Sequence, residues 1–406
     1  MDTTLSSAAN GENVASSSSQ VPVRIFALAT AILVTNLFAT QALVRPMAAS
    51  LHIPIASAGF LPMFTLLGYA SGLLLLVPLA DLFENRNLIL CLLIVVAAAA
   101  VGVVVSPHLV LVFACLFVLG AGCSAVQVLI PLAAALTEPE RRGQVLGDIM
   151  GGLLIGILLS RPIASLLAGT WDWKAFYMFS AVSTTFLLFT LVFKLPSRVP
   201  VKTKNYPELI ASLWQLFAKE KILRDRSISA AIVMSAFNLF WTGITFVLAS
   251  APLHFNQTGI AIFALVGAGG ASITPIIGRL ADQGIGHRIT TIGHILIVVG
   301  FILAAVSGSV TSLPPWLMIA GLAFSALLME AGVLGDQTVG RYMINLLNPE
   351  ARGRINGIFV GVFFLGGSVG SALSGLLWMQ GGWTALSVTG ALIGATAMAY
   401  RLASRQ

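Results

Sequence analysis

Two ionisable side chains, Arg161 and Glu330, stand inside long apolar runs. A charge at the centre of a membrane helix costs about 2.5–3.5 kcal/mol on insertion scales, so each marks a function or a partner. Glu330 is the residue suited to proton coupling. A carboxylate that moves between wet and dry surroundings loads a proton in one and gives it up in the other. The alternative is a static acid bonded to a neighbouring amide. Arg161 suits an anionic substrate, or it is a structural arginine held by the first crossing, where Gln41 sits at similar depth and Asn36 lies two turns deeper. Arg161 lies in the outer half of its run and Glu330 in the inner half, depths that differ by about 10 Å, which argues against a direct ion pair. Asn36, Gln127 and Asn238 are single amides in apolar runs, and Trp241 and Thr242 follow Asn238 by three and four residues, on its helix face. Together these residues form a candidate binding wall for an organic solute, or they hydrogen-bond helices to one another. His294 reads as a packed histidine rather than a relay.

The elements that carry these residues must be membrane helices. Of 406 residues, 57% are hydrophobic and only 9% are charged. A soluble domain carries about 25% charge, so a water-facing surface cannot be built from this chain. In lipid, backbone polar groups need internal partners, and long unbroken apolar runs select helices over a barrel. Twelve such runs begin near Ile25, Ala58, Leu88, His108, Gln144, Lys174, Ser229, Gly259, Thr290, Leu313, Ile355 and Trp383. Cys91, Cys115 and Cys123 all lie in apolar runs and read as packing residues. The sequence carries no Walker loop, dinucleotide fingerprint, metal-ligand cluster or nucleophile triad, so neither an ATP-driven pump nor a membrane enzyme has support. The net charge of +7 reflects topology and not nucleic acid.

With the N-terminus inside, only Arg45 and Lys174 among 22 basic residues fall in outside loops, and Arg161 falls within a helix. The rest lie on the cytoplasmic side, as the positive-inside rule requires, and both termini are cytoplasmic. Residues 1–22 read as a disordered tail, 23–194 as a six-helix bundle, 195–226 as a basic linker and 227–406 as a second six-helix bundle. Within the linker, Pro207 to Lys221 is either an amphipathic helix on the inner leaflet or a plain connection. The halves repeat. Leu79-Ala80-Asp81 recurs as Leu280-Ala281-Asp282, offset 201, and Arg142-Gly143 recurs as Arg352-Gly353, offset 210. Trp173 and Trp383 keep the second offset, which also places Ser371 opposite Arg161. Two parallel repeats with a substrate site between them are a recurrent transporter design.

On these residues the chain resembles the major facilitator superfamily, over nearly its whole length. Pro78-Leu79-Ala80-Asp81 to Arg86, and Gly278-Arg279-Leu280-Ala281-Asp282 to Arg288, resemble the family's cytoplasmic loop motif. The stretch Gly152 to Arg161, the run Phe240-Trp241-Thr242 and the run Glu350 to Asn356 resemble bacterial drug and metabolite efflux permeases. There are departures. Val77, Leu82, Glu84 and Asn85 replace motif residues of the first loop, Leu116 stands where an arginine is usual, and Arg161-Pro162 stands near the place of a Gly-Pro pair. The resemblance implies an all-α membrane fold of twelve helices in two pseudo-symmetric bundles, and a monomer in the bacterial inner membrane. It implies proton-coupled efflux of small organic molecules by alternating access, with the proton gradient as energy source, no cofactor and no enzymatic activity. It also implies a cytoplasmic gate built from Asp81, Arg86, Arg142, Asp282, Arg288 and Arg352. Two alternatives stay open: an importer or uniporter of an anion with the same fold, and a non-transporting membrane sensor or scaffold.

Overall fold

The computed structural model describes residues 22–200, 205–271, 277, 279–280, 283, 285–310, 312–348 and 351–404. The expected tail, Asp282, Pro349 and Glu350 lie outside these residues. The described chain is helical throughout. We number its elements α1 (Val23–Ser50), α2 (Ile55–Asp81), α3 (Asn85–Val105), α4 (Leu109–Ala135), α5 (Arg142–Thr170) and α6 (Trp173–Lys194). After the linker helix α7 (Tyr206–Lys219) come α8 (Lys221–Leu248), α9 (Gln257–Ala264), α10 (Val266–Ala271), α11 (Gly286–Ser309), α12 (Pro315–Asn345) and α13 (Arg352–Ser404).

Ten of these helices are long and apolar enough to cross a membrane. The 53-residue α13 holds two crossings, because Gly381 and Gly382 leave helical geometry and Gly382 takes φ +59. Only glycine adopts that conformation without strain. The expected eighth crossing starts with α9 and α10 and continues into residues outside the description. α2 ends by widening from an α-helix into a π segment, Gly72–Leu76, and then tightening into a 3-10 turn at Val77–Asp81. Pro78 stands in that turn, where it cannot continue an α-helical ladder.

Small residues set the seams. A Cβ on Gly156 of α5 would lie 2.5 Å from the Ala31 carbonyl of α1, and one on Gly366 of α13 would overlap the Ala231 carbonyl of α8. Both glycines let backbones meet directly, the close approach that small residues give membrane helices. α2 meets the first part of α13 near both its ends, Gly375 against Ile55 and Gly361 against Leu74. The seam between the halves is thus shut at its two ends along this pair.

The linker segment is helical, and its start is fixed by a capping box. Asn205 accepts from the Glu208 backbone amide while the Glu208 side chain reaches back to the Asn205 amide. Leu209 and Leu213 face the protein and Trp214 faces outward at 71% exposure. The Tyr206 hydroxyl donates to the Leu75 carbonyl of α2, and Arg354 of α13 donates to Ser212 at 3.0 Å. α7 therefore bridges both halves at the end that carries the basic loops, here the basic end.

Candidate functional site

Four of the sequence-predicted side chains meet at the middle of the seam. Arg161, on α5, is 4% exposed, and its Nε donates to Gln41 Oε1 on α1 at 2.9 Å. The Gln41 amide nitrogen in turn donates to Asn238 Oδ1 on α8, crossing from one half to the other. Asn238 Nδ2 donates back to the Met234 carbonyl of its own helix at 2.9 Å, which fixes the direction of the relay. The guanidinium carbon sits 4.2 Å from the centre of the Trp241 ring, with Phe38 at 5.3 Å and Phe237 at 5.4 Å. Three aromatic faces replace part of the hydration that burial removes. One guanidinium nitrogen, Nη2, is buried with no hydrogen-bond partner. The pairing of Arg161 with Gln41 was legible in sequence; the link on to Asn238 and the aromatic collar of Phe38 and Phe237 were not, and Asn36, the other amide set beside Arg161 in sequence, bonds elsewhere.

Glu330 projects from α12 and is 8% exposed. It meets the other side of the same tryptophan region: a Cβ on Gly267 would touch Trp241 Cζ2 at 3.0 Å and Glu330 Oε1 at 3.1 Å. Trp241 Nε1 closes no hydrogen bond of normal geometry, yet it stands near enough to Glu330 to act on its charge. Among the described residues Glu330 has no ion-pair partner, and Arg161 and Glu330 are not in direct contact. Both lie near Trp241, close enough to act on each other's charge.

A small cavity adjoins this cluster, lined by Ala42, Arg161, Trp241, Ile244, Thr245 and residues of α9. It has about 10 Å³ of free space, room for a single water. The site is closed around its polar groups.

The remaining predicted residues lie elsewhere. Asn36 accepts from Ser180 of α6 at 2.6 Å and donates to the Ile32 carbonyl, so it ties α1 to α6 inside the first half. The Thr242 hydroxyl is 3.4 Å from that of Ser371 on α13, on the far side of α8 from Arg161. Gln127 donates weakly to the Tyr69 hydroxyl at 3.4 Å, and the Tyr69 ring meets Phe364 edge-on at 4.7 Å. Phe364 lies 6.1 Å from Phe38, so this second layer ends at the aromatic collar of Arg161.

At the basic end the loop residues do not form one cluster. Arg86 donates to the Val192 carbonyl of α6 at 2.5 Å. Arg142 caps the Thr137 carbonyl at 3.2 Å, and Arg352 reaches the Asn345 carbonyl at 3.4 Å. Arg288 is exposed, and Asp282 lies outside the described residues. Asp81 is exposed, and the cations that act on it are Arg354 of α13 first and Arg198 second. Among the described residues no cation forms an ion pair with Asp81; Arg354, two residues beyond Arg352, is the cross-half cation near enough to act on its charge.

The sequence reading missed Asp336, which is 2% exposed on α12. Ser229 donates to its Oδ1 at 3.1 Å, and His294 Nε2 lies 3.3 Å from the same oxygen. It also missed Arg341, whose Nε is buried without a hydrogen-bond partner and whose charge faces Tyr69.

Comparison with known proteins agrees with this architecture. The chain is 33% identical over 369 residues to the uncharacterized transporter YgaY of Escherichia coli O157:H7, covering 91% of this chain and 92% of that one. It is 26% identical over 281 residues to the chloramphenicol resistance protein of Streptomyces lividans, covering 68% and 71%. Among solved structures, the inward-facing bacterial homologue of the human lysosomal transporter Spinster superposes with a TM-score of 0.73 at 14% identity, over 96% of this chain and 98% of that one. That likeness shows a shared fold. The profile of the Major Facilitator Superfamily matches residues 25–335, from the first crossing into the tenth, and the chain belongs to that superfamily.

Proposed function

We propose that this transporter exports small organic molecules in exchange for protons, by alternating access, with Glu330 as the proton-coupling residue. The observation that carries the reading is Glu330 itself: a buried acid without an ion-pair partner among the described residues, at the seam of the halves and close to Trp241. An unpaired buried carboxylate is costly unless it holds a proton. When the halves part and water enters, that proton can leave. Arg161, Gln41, Asn238 and Trp241 would bind the solute, the first three through hydrogen bonds and the ring by stacking. The excess of Lys and Arg in the loops supports a cytoplasmic position for the basic end. The chloramphenicol resistance relative supports an exported organic solute, and chloramphenicol is the first probe to try.

A second reading, uptake of an organic anion, is favoured by the partnerless Nη2 of Arg161. The test uses protein in liposomes with a pH-sensitive dye inside and an imposed proton gradient. Chloramphenicol and a panel of amphiphilic drugs and organic anions are added in turn. Proton exchange requires that a neutral or cationic solute drive proton flux in the opposite direction. Anion movement with no proton flux would replace it with the second reading.

A further inference from the structure

The C-terminal half holds a buried titratable pair that the transport site does not use. His294 is 0% exposed and Asp336 2% exposed. His294 Nε2 and Ser229 Oγ converge on one carboxylate oxygen of Asp336, at 3.3 Å and 3.1 Å. His294 Nδ1 is buried with no hydrogen-bond partner. Asp336 follows Glu330 by six residues, which on a helix is about 9 Å along the axis and about 120° around it. The two acids therefore serve different surfaces of α12: Glu330 the seam, Asp336 the interior between α8 and α11.

Ser229 has a second exposure. It lines a cleft of about 330 Å³ that opens at the basic end between α8, α11, α12 and the end of α13. Water in that cleft is one hydroxyl away from the Asp336 carboxylate. The other charged and titratable groups on the surrounding elements are Lys221, Arg224, Asp225 and Arg226 on α8, His287 and Arg288 on α11, Glu330, Arg341 and Tyr342 on α12, and Arg352, Arg354, Tyr400 and Arg401 on α13. Asp282 lies outside the described residues. Asp225 accepts from Tyr400, Arg226 donates to Thr290, and Arg401 donates to Thr291 and to the His287 carbonyl. The two arginines thus bond the turn of α11 below His294, nearer the cleft mouth. None of these groups forms an ion pair with Asp336; the nitrogen within reach of it is that of His294.

We propose that His294 and Asp336 form a proton-binding site, separate from Glu330 and filled from the cleft through the Ser229 hydroxyl. An ionised Asp336 beside a neutral imidazole leaves one net negative charge in a dry interior. Uptake of one proton from cleft water makes the pair neutral overall. The proton arrives as a new O–H bond on Ser229, the hydroxyl's own proton passes to Asp336, and it is then shared with His294 Nε2. As a station for the proton that Glu330 exchanges, the pair rests on the reading above; as a proton site, it stands on its own geometry.

The experiment uses full-length protein with labelled histidine in lipid nanodiscs, and follows the imidazole nitrogen signals by nuclear magnetic resonance. The chain has 5 histidines, so His294→Gln assigns the signal. The expected result is that the His294 imidazole gains a proton as the sample is acidified across the pH range over which the protein stays folded. In Asp336→Asn the same change needs at least about tenfold more protons, because the facing negative charge is gone. In Ser229→Ala its imidazole proton exchanges with water at least tenfold more slowly. A His294 signal that keeps one form throughout that range in the parent protein overturns the proposal, and an unchanged exchange rate in Ser229→Ala overturns the route. Running Glu330→Gln beside them separates the two readings. His294 titrates in that variant whether or not Glu330 couples transport, so a silent His294 sinks this inference alone.

Discussion

The seam of α1 with α5 and the seam of α8 with α13 are built alike and equipped differently. Each joins its helices through a glycine set against a carbonyl, Gly156 on Ala31 and Gly366 on Ala231. Further along these helices, the sequence repeat places Gln41 and Arg161 in the first seam opposite Thr242 and Ser371 in the second. The first pair is a charged hydrogen bond of 2.9 Å that continues across the molecule to Asn238. The second is a hydroxyl contact of 3.4 Å that stays within its own half. Backbone packing is thus the shared scaffold, and the polar pair is where the halves diverge. A structural role alone would not need a buried guanidinium, since the second seam holds with two hydroxyls.

Breaking the shared part should have the largest effect and should strike both halves equally. Gly156→Leu and Gly366→Leu each force a side chain into a facing carbonyl and should cost about 3 kcal/mol, read as loss of thermal stability in detergent. Unequal losses would show that the seams are not equivalent. The divergent part should separate the halves. Arg161→Met removes a charge-assisted hydrogen bond, worth about 1.5–3 kcal/mol, so solute binding should weaken about ten- to a hundredfold. Ser371→Ala should change stability by about 1 kcal/mol or less and leave binding intact. Equal effects of the two on solute binding would remove the distinction between seam and site. Trp241→Phe keeps an apolar ring but weakens the cation–π contact, a loss of about 1 kcal/mol or less in affinity for a solute that leaves Arg161 in place. Affinities from a fluorescence or scintillation binding assay check all three.

Much of this was legible before the structure. The crossings followed from apolar runs, because in a membrane length and hydropathy nearly determine the element. Arg161 and Glu330 stood out because a charge inside such a run is costly. Gln41 was paired with Arg161 by depth alone. Asp336 and Arg341 escaped because a crossing of about 20 residues from Leu313 ends before them. In fact α12 continues to Asn345, 31 residues in all, and its final turns stay packed within the protein. Hydropathy measures the span of the hydrocarbon and not the length over which helices pack. Thr242 was placed with Trp241 because i and i+1 both fall near the face of Asn238, yet one turns to Arg161 and the other to Ser371. The influence of Arg354 on Asp81 across the halves was hidden for a third reason: the repeat pairs residues by position in each half, whereas these two stand at unlike positions in different halves.

The most direct test of proton coupling compares two transport modes in liposomes holding Glu330→Gln. With solute on both sides, exchange of labelled for unlabelled solute needs no net proton movement. Accumulation against a solute gradient needs the imposed proton gradient. The account predicts that Glu330→Gln keeps exchange near the parent rate and loses gradient-driven accumulation. Accumulation that persists in the variant would contradict a coupling role for Glu330, and loss of both modes would place Glu330 in solute binding instead.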